Sequence, residues 1–322
     1  ETAYHQNILR HFLQKVYINI AICSYFEWLF IKAIIEIEPS NFDLSGLCII
    51  PGNHSIRIID LEASSCRVIL KEGFNSKFIK NEIHLRNKYN FLPIPKLLNF
   101  DSEGLWYEEE QVNALPLNRI NFQVIKDKAL LNAQLFLSRL YKKTLVRVNL
   151  GNYLESLYDS CISLIKTLPC PYTQDNKKII EGILILLIAN LSKFKDYDIE
   201  LVQSHGDFQP ANILVDKIEE HLYLIDWEYS DKRSLYYDAL VFETQSRAPK
   251  GLSKRLRRTL DESNTSWRWC TNNIQAKLTK LELSVFLIED LIVRLSELQI
   301  PNMINKDEGL DIWIREIEGV DW

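Results

Sequence analysis

Residues 201–230 read LVQSHGDFQPANILVDKIEEHLYLIDWEYS, and the rest of the chain is interpreted outward from them. An apolar approach enters the turn His205-Gly206-Asp207-Phe208-Gln209-Pro210. Ala211 and Asn212 open a short apolar run, Ile213-Leu214-Val215. Charged residues over 216–220 mark a turn, and a second apolar run over 222–225 delivers Asp226. Two short apolar runs around a polar turn predict a hairpin. Such a hairpin sets Asn212, at the mouth of its first strand, close to Asp226, at the end of its second, with Asp207 just upstream. One loop carboxylate then stands beside an Asn/Asp pair of hard oxygen donors. Phosphoryl transfer from a nucleotide uses such a set: the carboxylate orients the acceptor hydroxyl and takes its proton, and the oxygen pair holds Mg2+ across the phosphates. His205, two residues before the expected base, is read as a buttress of the loop through hydrogen bonds.

The spacing is H-x-D-x-x-x-x-N followed by an apolar strand ending in Asp. On HGDFQPANIL and LIDWEYS the sequence resembles the aminoglycoside phosphotransferase and choline kinase superfamily, in which the stretch typically reads HGDLHPGNIL followed by IDWE or IDFE. Gly206 and Pro210 favour this small-molecule branch over protein kinases, which usually carry Arg-Asp and Asp-Phe-Gly at the equivalent places. The resemblance implies an α+β, bilobal protein-kinase-like fold, with a small antiparallel-sheet N-lobe and a large, mostly helical C-lobe. It implies ATP, or alternatively GTP, as phosphate donor with Mg2+. Asp207, supported by His205, takes the catalytic place, and Asn212 and Asp226 take the metal places. Asp238, in YYDALVFE, falls where the family often has a structural Asp. In related kinases the acceptor pocket lies between the catalytic loop and the late helices. Glu228 and Trp227 are the acceptor-site candidates there, with Tyr236, Tyr237, Trp267 and Trp269 as further aromatics that helical spacing more often puts in a core.

The 322 residues suffice for a bilobal unit, and 47% hydrophobic content can fill sizeable cores. A net charge of −5 argues against a general nucleic-acid surface. Six scattered cysteines with no C-x-x-C point to a reducing compartment and no structural zinc. The expected location is cytoplasmic, or the cytoplasmic face of a membrane. Residues 16–31 carry a single charge, Glu27, a run too short and too interrupted for the roughly 20 apolar residues of a membrane span, and no cleavage site follows. Residues 1–40 are therefore read as an N-terminal helical extension packed on the next domain, with peripheral membrane contact through residues 16–35 as the alternative.

Residues 41–115 are read as the N-lobe. Runs over 47–50, 55–61 and 66–70 predict an antiparallel meander, and 97–100 and 106–112 add two strands, the last entering an interlobe hinge. The turn over 51–55 sits where a phosphate-covering loop would lie, which makes Gly52 and Asn53 nucleotide-binding candidates; there is no G-x-G-x-x-G and no Walker A sequence. Lys71, closing Val68-Ile69-Leu70-Lys71, resembles the kinase lysine that neutralises the nucleotide phosphates, and Glu82, on a helix expected over 76–89, is its expected partner. From 116 to 322 the pattern is helical, with helices over 122–140, 153–168, 176–194, 236–243, 252–263, 274–298 and 308–319.

The expected activity is transfer of a γ-phosphate to a hydroxyl of a small-molecule, sugar or glycan acceptor. The competing readings are a catalytically inactive binding module that kept the fold and a membrane-associated scaffold docked through residues 1–38. Occupied chemical positions at Lys71, Asp207, Asn212 and Asp226 weigh against the inactive module. The acceptor, the nucleotide preference and the oligomeric state are left open.

Overall fold

The computed structural model describes residues 46–52, 54–169, 172–216, 221–266, 279–299 and 308–320. The N-terminal extension, its alternative membrane contact, Asn53, Trp267 and Trp269 lie outside the described residues. Among the described residues no helix is long and apolar enough to cross a membrane.

Ile- and Val-rich runs of four to six residues, separated by turn residues, form the strands β1 (Leu47–Pro51), β2 (Ser55–Asp60), β3 (Ser65–Leu70), β4 (Leu97–Phe100) and β5 (Trp106–Glu110). They make one antiparallel sheet in the order β1-β2-β3-β5-β4. Alternation along β3 turns Cys66 and Val68 to one face, where they pack with Tyr107 against Ile79 and Ile83 of helix α1 (Lys77–Lys88). This is the N-lobe.

The chain then passes through β6 (Ala114–Pro116), which pairs with β9 (Ile213–Asp216); β9 pairs in turn with β10 (Leu222–Leu224). The expected hairpin is present, in the register Leu222↔Val215 and Leu224↔Ile213. It rests on helix α2 (Gln123–Thr144) through a core that includes Ala133, Leu137, Phe208, Ile213, Val215 and Trp227. A second small sheet joins β7 (Val146–Asn149), β8 (Asp198–Ser204) and β11 (Asp231–Ser234) in the order β11-β8-β7. Only the end of β8 was visible in the sequence, as an apolar approach. Four-residue strands such as VRVN and DKRS are too short for a pattern to mark them and form because distant partners supply the ladder.

The helical body holds α3 (Leu150–Lys166), α4 (Gln174–Leu191), α5 (Tyr237–Thr244), α6 (Leu252–Ser266), α7 (Lys280–Leu298) and α8 (Glu308–Glu318). Thr173 with Asn176 and Thr279 with Glu282 close capping boxes on α4 and α7, satisfying end-of-helix N–H groups. Helix α7 is buried over most of its length and presents two acids, Glu289 and Asp290, inside the fold. The result is the α+β bilobal architecture expected from the sequence, with β8, the hairpin and their connecting loops on the C-lobe side of the junction between lobes.

Candidate active site

The loop after β8 is held by backbone geometry before any side chain acts. Gly206 has φ +91°, and a Cβ there would lie 2.1 Å from the Tyr229 carbonyl oxygen, so the turn accepts only glycine. Buried Asp238, at the start of α5, receives the His205 and Gly206 N–H groups at 2.7 and 2.9 Å and the Tyr141 hydroxyl at 2.7 Å. The structural role expected for Asp238 is the one it plays. His205 is fully buried, and burial lowers its pKa, favouring the neutral ring. Its Nδ1 accepts the Asp207 N–H at 3.3 Å and its Nε2–H donates to the Ile225 carbonyl at 3.0 Å, while the ring packs 4.3 Å from Trp227. His205 therefore joins the loop to the strand that delivers Asp226, as a positioning residue.

Asp207 carries three side-chain hydrogen bonds. Arg247 Nε donates to Oδ1 at 2.8 Å, and Gln209 Nε2 and Asn212 Nδ2 donate to Oδ2 at 2.8 and 3.0 Å. Burial alone would raise the carboxyl's pKa, but the Arg247 guanidinium outweighs it and holds Asp207 below the usual carboxylate value. Asn212 gives its amide N–H also to the Asp207 carbonyl, at 2.8 Å, so its amide oxygen is the atom that would meet a cation.

The Ile225 N–H donates to the Asn212 carbonyl at 3.0 Å, so the hairpin brings Asn212 beside the residue preceding Asp226. Asp226 adopts φ +71°, a conformation unusual for a non-glycine residue and one that concentrates at functional sites. Burial first, and Glu228 second, push its pKa up to about 8; Arg57 Nη2, 3.2 Å from Oδ1, offsets part of this. Glu228 is pushed up to about 8 as well, chiefly by burial, and meets His54 Nε2 at 2.5 Å. Two partly buried acids of raised proton affinity with an amide oxygen alongside form a donor set that a hard cation would relieve, so Mg2+ fits these residues. Among the described residues no group of three or more His, Cys, Asp or Glu side chains makes a metal cage. A cation held by Asn212 and Asp226 would complete its shell from phosphate oxygens and water.

Two of the expected assignments change. Glu82 does not hold Lys71. Its Oε1 accepts the Trp227 N–H at 2.6 Å and its Oε2 meets Arg86 at 3.1 Å, whereas Lys71 Nζ donates to the Gly52 carbonyl at 2.6 Å. The physical reason is prior engagement: Lys71 follows the end of β3 and is taken up by the β1–β2 turn, while both Glu82 oxygens are taken by Trp227 and Arg86. Trp227 is fully buried and donates its indole N–H to the Leu224 carbonyl at 3.0 Å, so it belongs to the core and walls no acceptor pocket; Tyr237 is buried likewise. Gly52 remains at the β1–β2 turn. Glu228 borders a cavity of about 420 Å3 with Phe74, Phe78 and Tyr229, and another of about 440 Å3 lies between Gln209 of the Asp207 loop and Gln245 and Arg247. Sequence reading missed Arg57, Arg247 and His54. None of the three is part of the 201–230 stretch, and their partners lie more than 35 residues away.

No family model and no curated protein matches the sequence. The fold, however, is that of small-molecule kinases. A choline kinase of Streptococcus pneumoniae superposes with TM-score 0.51 at 14% identity, over 86% of this chain and 94% of that one. A thermostable mutant of aminoglycoside phosphotransferase APH(4)-Ia, in a ternary complex with ADP and hygromycin B, gives TM-score 0.54 at 13% identity, over 85% and 92%. An ethanolamine kinase of Plasmodium vivax gives 0.50 at 12% identity, over 86% and 83%.

Proposed function

We propose that this chain, with the fold of choline kinases and aminoglycoside phosphotransferases, transfers the γ-phosphate of ATP or GTP to a hydroxyl of a small molecule or glycan. The observation that carries the reading is the joint placement of Asp207, Asn212 and Asp226 on a loop and hairpin held rigid by Asp238 and His205. Of the roughly four lone-pair sites of the Asp207 carboxylate, Arg247, Gln209 and Asn212 use three, leaving about one for an acceptor hydroxyl. Phosphoryl transfer depends mostly on positioning, so a carboxylate that stays ionised and aims one lone pair suits the task better than a strong base. Asn212 and Asp226 would hold Mg2+, which when bound neutralises charge on the phosphates. Glu228 borders the acceptor side in this reading, and the β1–β2 turn with Gly52 covers the phosphates.

The second reading, a binding module without turnover, is favoured by one observation: Glu82 is committed to Trp227 and Arg86 rather than to Lys71. Transfer of labelled γ-phosphate from ATP and GTP to a panel of amino alcohols, aminoglycosides and sugars separates the two. Asp207→Asn is expected to keep nucleotide binding and lower turnover by about 10²–10⁴-fold. Near-normal turnover in that variant removes Asp207 from the chemistry, and no transfer to any acceptor by a nucleotide-binding wild type favours the binding module.

A further inference from the structure

We infer that Arg57, on β2, is the side chain that binds the nucleotide phosphates, in the place the sequence would give to Lys71; the inference rests on the nucleotide-binding reading above. Arg57 lies directly across from Val68 in the β2–β3 ladder, so its side chain leaves the sheet on the face that packs against α1. Leu70 shares that phase and Lys71 does not. Lys71 sends Nζ back to the Gly52 carbonyl, on the β1–β2 turn, and sits 5.9 Å from the Phe74 ring. Arg57 instead reaches across to Asp226, with Nη2 3.2 Å from Oδ1.

The neighbouring charges leave Arg57 available. Glu82 and Glu109, the other acids beneath the sheet, are both paired to Arg86, at 3.1 and 2.6 Å. Asp226 is thus the one hydrogen-bond acceptor of Arg57 among the described residues, and the guanidinium side chain keeps 29% of its surface exposed. Most of its five donors remain for a ligand. A planar fork of this kind, standing beside the residue proposed to hold the metal, suits bidentate contact with phosphate oxygens, which a lysine at the same point would not reproduce.

The test compares ADP and adenosine affinity by calorimetry, with Mg2+ present, for the wild type, Arg57→Met, Arg57→Lys and Lys71→Met. Loss of a charge-assisted phosphate contact is expected to weaken ADP about 10–100-fold in Arg57→Met, with adenosine unchanged within about twofold and Arg57→Lys in between. Lys71→Met is expected to change ADP affinity by less than about threefold, since its ammonium is engaged by the Gly52 carbonyl. The reverse pattern, with ADP lost in Lys71→Met and kept in Arg57→Met, overturns the inference alone. A wild type that binds ADP no better than adenosine overturns the nucleotide reading and the inference with it. Should Arg57→Met fail to fold, arginine-specific glyoxal labelling of the wild type decides the same question. ADP is expected to protect Arg57 where adenosine does not, and equal labelling under both ligands contradicts the assignment.

Discussion

At Asp207 the carboxylate is built to stay ionised, and Arg247 is the residue that keeps it so. The same guanidinium bridges to Asp290, fully buried on α7, at 3.2 Å, and donates to the Gly206 carbonyl at 2.6 Å. Asp290 is held below its ordinary pKa by Arg294 and Arg247 against burial, as Asp207 is by Arg247. A carboxyl whose folded pKa is depressed contributes stability that is present above its unfolded pKa and lost as pH falls through the folded one. Arg247→Met strands the buried Asp207 carboxylate at neutral pH and leaves Asp290 with Arg294 alone, and is expected to cost about 3–5 kcal/mol in urea unfolding at pH 7. The cost should shrink below the ordinary carboxylate value of 3.8, where protonation removes the stranded charge. An equal cost at both pH values would mean that Arg247 acts by packing alone. None of this was legible in QSRAPKG, because the pairing joins residues 40 and 43 positions apart.

At the scale of elements, α1 and the segment following Asp226 behave as one clamp. Asn81 Nδ2 donates to the Glu228 and Ser230 carbonyls at 3.0 and 3.4 Å, and Glu82 takes the Trp227 N–H. Glu82→Ala leaves that buried N–H without its acceptor and the Arg86 guanidinium with Glu109 as its remaining carboxylate. Hydrogen exchange is expected to show faster exchange at the Trp227 amide, with stability reduced by about 1–3 kcal/mol. Unchanged protection at Trp227 would show that Glu82 is dispensable to the clamp. The hairpin and α1 were legible because both carry local signals, a polar turn between apolar runs and apolar residues at helical spacing. The Lys71–Glu82 pair was misread because a motif locates a lysine along a strand but not the groups its side chain and its partner meet, here the Gly52 carbonyl on one side and Trp227 and Arg86 on the other. The β7-β8-β11 sheet was hidden for a related reason: its short strands are stabilised by partners distant in sequence.

At the scale of the whole molecule, three apolar cores among the described residues support the arrangement: one beneath the N-lobe sheet, one beneath the Asp207 loop and hairpin, and a larger one in the helical body. Bilobal architecture was legible from element order, since strands precede a long helical tract. The segment that joins the two lobes functionally was legible from HGDFQPANIL and LIDWEYS. The cations that serve it, Arg57 and Arg247, come from outside those motifs. Whether these residues hold a metal-bound nucleotide is tested by the thermal stability of the intact chain with ADP, with and without Mg2+, at a pH above about 8, where Asp226 is ionised. A ligand bound only by the native state raises the unfolding temperature. The expected result is a rise with ADP that grows when Mg2+ is added and loses its Mg2+ dependence in Asp226→Ala. No rise with ADP under either condition would contradict a nucleotide site in this chain.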